Sequence, residues 1–316
     1  MVIRTWTITL VATSACVPDL PDTTSLVDTP RVLATRTEPA ETRPGQTIST
    51  TSLWAGPDGL LANAPIDWAF CTARKTLTES GPVSTSCLTE RSDALVPIGT
   101  GMTVMAALPA NGCRQFGPDR PDPEPGETAA RPTDPDGTGG YYQPIRVLAD
   151  ATVSLAQARI LCSLPDATPE QSVRYANEYV PNTHPRIASA SLDGTELVTV
   201  ESAPVAASVR ASSVSTISLT WPSCEGPPCE GSEPYLWFDP VLRKLVTRRE
   251  SLRVTWYATG GTFATTRTGR AEDEADALDT SNEWTAPAST GTVFVWAVLR
   301  DDRGGAAWAT YRIEVE

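Results

Sequence analysis

Apolar side chains recur at every second position in short runs broken by Gly, Pro and Asp. In residues 252–257, Leu252, Val254 and Trp256 alternate with Arg253, Thr255 and Tyr257. In residues 66–71, Ile66, Trp68 and Phe70 alternate with Asp67, Ala69 and Cys71, and near the end Tyr311, Ile313 and Val315 repeat the pattern. A period of two belongs to a pleated strand with one face on a core. Further strands are predicted over residues 31–36, 46–54, 103–108, 152–162, 186–192, 196–200, 214–221, 292–300 and 307–315. Residues 292–299 are apolar on both faces, which predicts a central strand. Asp302-Arg303-Gly304-Gly305 then turns the chain into its last strand, a hairpin signal.

Helical periodicity stands out once. Thr168-Pro169-Glu170-Gln171 combines an N-cap, a proline at the first helical position and Gln at N3. Val173, Ala176 and Val180 share the expected apolar face, and Pro181 stops the run. This short helix is expected to seal a domain junction.

The pattern predicts an all-β chain of two immunoglobulin-like β-sandwich domains in tandem, over residues 30–182 and 183–316. Trp68 and Trp256 each sit on a mid-domain strand, where an indole fills the space between two sheets. Residues 117–140 are rich in Pro, Gly and acids and nearly devoid of apolar side chains, so a mobile loop is expected there. His184, between Thr183 and Pro185, is read as a solvated linker residue.

Composition changes the picture in three ways. Pro (28) and Gly (21) fit many short strands joined by turns. The net charge of −13 repels phosphate backbones, so no nucleic-acid partner is expected. Lys75 and Lys244 are the only lysines, and the skew to arginine is read as composition rather than as an arginine-based site.

The N-terminus addresses the compartment. Arg4 is a minimal basic region, residues 6–12 are apolar, and Thr13-Ser14-Ala15 precede Cys16. The segment resembles a bacterial lipoprotein signal, with Thr13 where such signals usually carry Leu, Val or Ile. The resemblance implies that residues 1–15 are removed and Cys16 is lipidated, which would tether the chain to a membrane. Residues 16–29, polar and Pro-containing, are expected to be a flexible spacer. Assigning Cys16 to lipid leaves Cys71, Cys87, Cys113, Cys162, Cys224 and Cys229, an even set suited to disulfides in an oxidising compartment. The 224–229 and 71–87 segments suit stapled loops, but spacing alone does not choose among the pairings. There is no C-x-x-C pair, and no metal site is expected.

A family resemblance rests on Trp256-Tyr257-Ala258-Thr259-Gly260-Gly261, Trp284-Thr285-Ala286-Pro287, and Val295-Trp296-Ala297-Val298 followed by Asp301-Asp302-Arg303-Gly304-Gly305. These resemble the immunoglobulin-like domains of bacterial surface lipoproteins. The resemblance covers residues 252–316 well and the first half loosely. It implies a fold and is nearly silent on ligand.

Catalytic chemistry finds little support. His184 is the only histidine, which leaves Ser-His-Asp and Cys-His sites dependent on a linker residue. There is no G-x-S-x-G and no P-loop, and Gly99-Thr100-Gly101 reads as a hairpin turn because Val104 holds the third glycine position of a dinucleotide loop. No catalytic residue and no cofactor is expected. Asp134 and Asp136, and Glu272, Asp273, Glu274, Asp276 and Asp279, offer oxygen ligands for Ca²⁺ but read as solvated loops. Tyr235, Trp237 and Phe238 are the candidate ligand-binding residues, since exposed rings stack on sugars, although core packing is the more usual use of such rings. The expected function is a non-catalytic structural, adhesive or binding module of the cell envelope. Its expected partners are the membrane and another envelope protein or polysaccharide. The alternative is a carbohydrate-binding protein using the three aromatics.

Overall fold

A computed structural model describes residues 24–61, 64–74, 83–118, 137–200 and 207–316. The signal-like segment, Cys16 and most of the loop 117–140 lie outside these residues.

The first half contains β1 (Arg31–Glu38), β2 (Glu41–Thr42), β3 (Thr47–Gly56), β4 (Gly59–Leu60), β5 (Ile66–Cys71), β6 (Leu95–Thr100), β7 (Thr103–Ala107), α1 (Gly112–Phe116), β8 (Gly140–Ala149) and β9 (Thr152–Leu161). One sheet runs β1-β3-β4 with β7 also on β3, and the other runs β2-β9-β8-β5-β6. After α2 (Pro169–Glu178), the second half contains β10 (Ser189–Leu192), β11 (Thr195–Glu196), β12 (Ala207–Val209), β13 (Val214–Thr220), β14 (Pro234–Asp239), β15 (Lys244–Arg249) and β16 (Leu252–Ala258). It closes with β17 (Thr262–Phe263), β18 (Arg267–Arg270), β19 (Asp279–Thr285), β20 (Gly291–Asp301) and β21 (Ala306–Val315). Its sheets run β11-β10-β13-β19-β17 and β12-β21-β20-β16-β18, and β14–β15 is a separate hairpin.

The two halves share one topology. In each, a short strand lies parallel to the last strand, β2 on β9 and β12 on β21. Then follow the penultimate strand, the tryptophan-bearing strand and its neighbour. The opposite sheet pairs the first strand with the next long one, β1 with β3 and β10 with β13. Each half is an immunoglobulin-like β-sandwich.

The alternation explains the cores. Ile66, Trp68 and Phe70 of β5 meet Ile48 and Trp54 of β3 and Val104 of β7. In the second half Leu252, Val254, Trp256 and Ala258 meet Ile217, Leu219 and Trp284. Trp68 is 1% exposed and Trp256 0%. Each indole also satisfies its N–H: Trp68 donates to the Gly101 carbonyl at 2.8 Å, and Trp256 to Thr268 Oγ1 at 2.9 Å.

The two-faced apolarity of β20 has a second cause. Val293, Val295, Ala297 and Leu299 face their own core, while Trp296 and Val298 face the other way. There they pack on Leu33, Ala34, Leu53 and Ala55 of β1 and β3. A register shift between Val32 and Ala34 helps, because Val32 stays on the first core while Leu33 and Ala34 turn to the second sandwich. The four sheets therefore form one stack with three apolar layers between them.

Two expectations are corrected. Residues 24–29, assigned to a flexible spacer, dock onto β16: Val27 N–H donates to the Ala258 carbonyl at 2.8 Å, Ala258 N–H to the Ser25 carbonyl at 2.9 Å, and Val27 is fully buried between the sandwiches. The helix starts as predicted, with the Thr168–Gln171 capping box closed and Pro169 in the first turn. Its buried residue, however, is Tyr175, and Val173 is 62% exposed. Tyr175 and Tyr179 turn to the junction because their hydroxyls find partners there, which the valine cannot offer.

Candidate functional site at the domain junction

The hairpin β14–β15 leaves the second sandwich between β13 and β16 and lies across the junction. Leu236, Phe238 and Leu245 pack with Leu164 and Tyr175 from the α2 region. Phe238 N–H also donates to the Gly137 carbonyl at 2.6 Å. The hairpin acts as a strap from one sandwich to the other.

Under it lies a buried ionic network. Arg303, in the β20–β21 turn, is 1% exposed. Its Nε donates to Glu250 Oε1 and its Nη2 to Glu233 Oε2, both at 2.6 Å. The Tyr235 ring covers the guanidinium, 4.8 Å from its carbon. Glu233 also accepts from the backbone N–H groups of Thr183 and Cys229. On the first-sandwich side, Arg159 Nε lies 3.1 Å from Glu41 Oε1, an ion pair rather than an aligned hydrogen bond. Arg159 directs its other nitrogens to the Tyr142 and Thr138 hydroxyls. Glu41 accepts from the Tyr179 hydroxyl and from Asn182 N–H, both within 2.9 Å. The planar fork of each arginine is what allows several oxygens to be served at once in a site nearly closed to water.

Burial sets the protonation states. It raises the Tyr179 hydroxyl, with Glu41 adding to the shift, so the group stays a neutral donor. Burial, with Asp301 adding to it, raises Glu250 against the pull of Arg303. Burial also pushes Asp301 up to about 6, although Gly305 N–H and Arg303 oppose this. Burial alone would lower Arg303, but Glu250 holds it protonated. Such buried groups are costly unless fully partnered, and here they tie β2, β9, α2, the connecting segment, the strap and the last turn together.

Beside the network a cleft of about 660 Å³ opens between the sandwiches, walled by Arg36, His184, Glu230 and Trp308. His184 is no solvated linker residue. Its Nδ1 accepts from Ala306 N–H at 3.1 Å, and its Nε2 lies 2.8 Å from the Thr37 carbonyl. This pairing defines the tautomer with the proton on Nε2. Both nitrogens are committed to backbone, one on each sandwich, so the ring clasps the domains and neither nitrogen is free to act as a base. Burial lowers its pKa.

The six candidate cysteines pair as Cys71–Cys87, Cys113–Cys162 and Cys224–Cys229. The aromatic trio does not share an open face. Tyr235 and Phe238 are buried, and Trp237, half-buried, is stacked by Arg248 at 4.9 Å. The strand's alternation divides them: Phe238 faces α2, while Tyr235 and Trp237 lie against arginines. A sugar-stacking platform on these three rings does not fit this placement. Of the acidic clusters, Asp134 and Asp136 lie outside the described residues. Glu272 is held by Arg248, and that hydrogen bond lowers its pKa; Asp279 pairs with Arg270 at 3.1 Å. Among the described residues no grouping of His, Cys, Asp and Glu is arranged to hold a metal.

Sequence reasoning missed Glu41, Arg159, Glu233, Glu250 and Arg303. Nothing local marks them: the Arg303–Glu233 bond spans 70 positions and the Tyr179–Glu41 bond 138.

Neither a family model nor a curated protein sequence matches the chain. Among solved structures, the adhesin InvE of Yersinia pseudotuberculosis aligns with 89% of this chain at 8% identity and a TM-score of 0.23. The chain spans 58% of that adhesin's length. The fibronectin(III)-like modules of CbhA from Clostridium thermocellum align with 89% of this chain and 93% of theirs, at 10% identity and TM-score 0.21. Domains 4 and 5 of the S-layer protein SbsC align with 81% of this chain and 99% of theirs, at 8% identity and TM-score 0.21. These likenesses are too distant to carry an argument. Among the described residues no helix is long and apolar enough to cross a membrane.

Proposed function

We propose that the chain is an exported, lipid-anchored module of a bacterial envelope that presents a rigid double sandwich and binds through its surface without turning over substrate. The carrying observation is the cysteine pattern. Three disulfides account for six of the seven cysteines, and the one outside them is Cys16, at the end of the signal-like segment. Disulfides persist in oxidising compartments, which favours export. Buried acyl chain contributes roughly 0.8 kcal/mol per methylene, so a multiply acylated Cys16 would hold the protein stably. The junction supports the rigid role, since its polar groups act as fasteners.

Fractionation of cells expressing the chain tests this. The wild type is expected in the membrane fraction, and Cys16→Ser is expected to move it to the soluble fraction. Retention of the variant in the membrane would reject the anchor.

A further inference from the structure

On the outer face of the second sandwich, beyond the patch covered by the first, three arginines surround one opening. Arg253 of β16 and Arg300 of β20 are direct cross-strand partners. Arg267 of β18 stands opposite Thr255, one inward-outward repeat along the same face. Together with Ser251, Tyr257 and Asp302 they line a pocket of about 400 Å³. Like charges set directly opposite on a sheet repel, so the Arg253–Arg300 pairing is unfavourable by itself.

Two acids, Asp301 and Asp302, also line the pocket, but neither forms an ion pair with the three arginines. Arg253 and Arg267 are exposed, and the guanidinium of neither has an ion pair or hydrogen bond to any described residue. Asp302 is occupied by the N–H and hydroxyl of Ser251, and Asp301 is turned into its own loop, where it accepts from Arg303 and Gly305 N–H. Arg300 is the built-in member. It donates to the Leu33 carbonyl on the first sandwich at 3.2 Å and has Thr255 and Tyr257 as hydroxyl partners. The chain as a whole carries −13, so this is a local reversal of sign rather than part of a basic surface.

We propose that this pocket binds a phosphate or phosphoester group, gripped by Arg253, Arg267 and Arg300. A carboxylate carries one charge and is matched by a single guanidinium fork. Three cations around one opening suit a multiply charged tetrahedral oxyanion, which offers an edge to each. The pocket has room for the oxyanion and the first atoms of whatever carries it. This extends the binding role proposed above and rests on it only for its setting in the envelope. Fractionation tests that setting, whereas the following test is done in solution.

The full chain is titrated with inorganic phosphate, glycerol phosphate and acetate at constant ionic strength, by calorimetry and by thermal melting. Saturable phosphate binding with a rise in Tm is expected. Arg267→Gln and Arg253→Gln, both at exposed positions, should each weaken it about tenfold, the loss of one charge-assisted contact. Arg174→Gln, at an exposed α2 position outside the pocket lining and ion-paired with Glu178, should leave it unchanged. Tighter binding of glycerol phosphate would identify a carried phosphoester as the ligand, and tighter binding of inorganic phosphate would identify the free ion. The assignment is overturned if phosphate does not saturate, if acetate binds as well, or if Arg174→Gln weakens binding as much as Arg267→Gln.

Discussion

Arg303 shows how much one side chain can hold. It is the shared cation of Glu233 and Glu250, and both carboxylates are sealed with it. Arg303→Met would fill much of the same space but leave two buried acids without a cation. Breaking a buried pair in this way typically costs about 3–5 kcal/mol. A urea titration of the variant should show that loss, and adding Glu233→Gln and Glu250→Gln should recover much of it. An unchanged midpoint in Arg303→Met would mean that the network contributes nothing. Two other junction residues make stability depend on pH, with opposite signs. Asp301 has a folded pKa raised to about 6 from an ordinary 3.8, so the folded state binds more protons across that window and stability falls as pH rises through it. His184 is depressed below 6.5, so the unfolded state binds more protons there and stability falls as pH drops. Melting curves between pH 4 and 7 should therefore diverge for Asp301→Asn and His184→Gln, each variant losing one slope. Parallel curves for His184→Gln and the wild type would contradict the clasp.

At the scale of elements, the three disulfides should differ in weight. Cys113 and Cys162 are 49 positions apart, and Cys224 and Cys229 are 5 apart. On the chain-entropy estimate the first restrains the unfolded state by about 4 kcal/mol and the second by about 2. Denaturation of Cys113→Ser/Cys162→Ser and Cys224→Ser/Cys229→Ser should rank them in that order, and the reverse order would show that the small loop acts through native contacts with the strap. Elements with clean alternation, β5, β16 and β21, were legible in the sequence, as was the capping box that starts α2. What hid the rest was polarity in inward positions. On β19, Thr280 and Asn282 are buried beside Trp284, so the strand reads as a polar segment. On β8, Gln143 is fully buried and donates to the Cys71 carbonyl at 2.8 Å. The strap was visible only as an aromatic cluster, because its burial comes from a helix and an arginine that are remote in sequence. The arginine pocket was hidden for a related reason: strand pairing, not spacing, places Arg253, Arg267 and Arg300 together.

For the whole molecule, the question is whether the sandwiches unfold together. Tandem domains usually move against each other unless the interface is large and apolar. Here Trp296, 0% exposed, lies with Val27, Val298, Leu33 and Leu53 in a layer made of both halves. The strap and the ionic network close a second side of the same junction. A packed layer of this kind couples two cores, because opening it exposes apolar surface on both at once. Calorimetry of the wild type should therefore show a single transition whose calorimetric and van't Hoff enthalpies agree. Trp296→Ala removes the largest fully buried side chain of the layer without touching either internal core. It should cost about 3–5 kcal/mol and divide the melt into two steps. The second sandwich should then melt first, since Trp296 belongs to its central strand. Two steps in the wild type would mean that the stacked sheets are merely neighbours. A Trp296→Ala melt that shifts but stays single would place the coupling in the strap and the buried arginines instead.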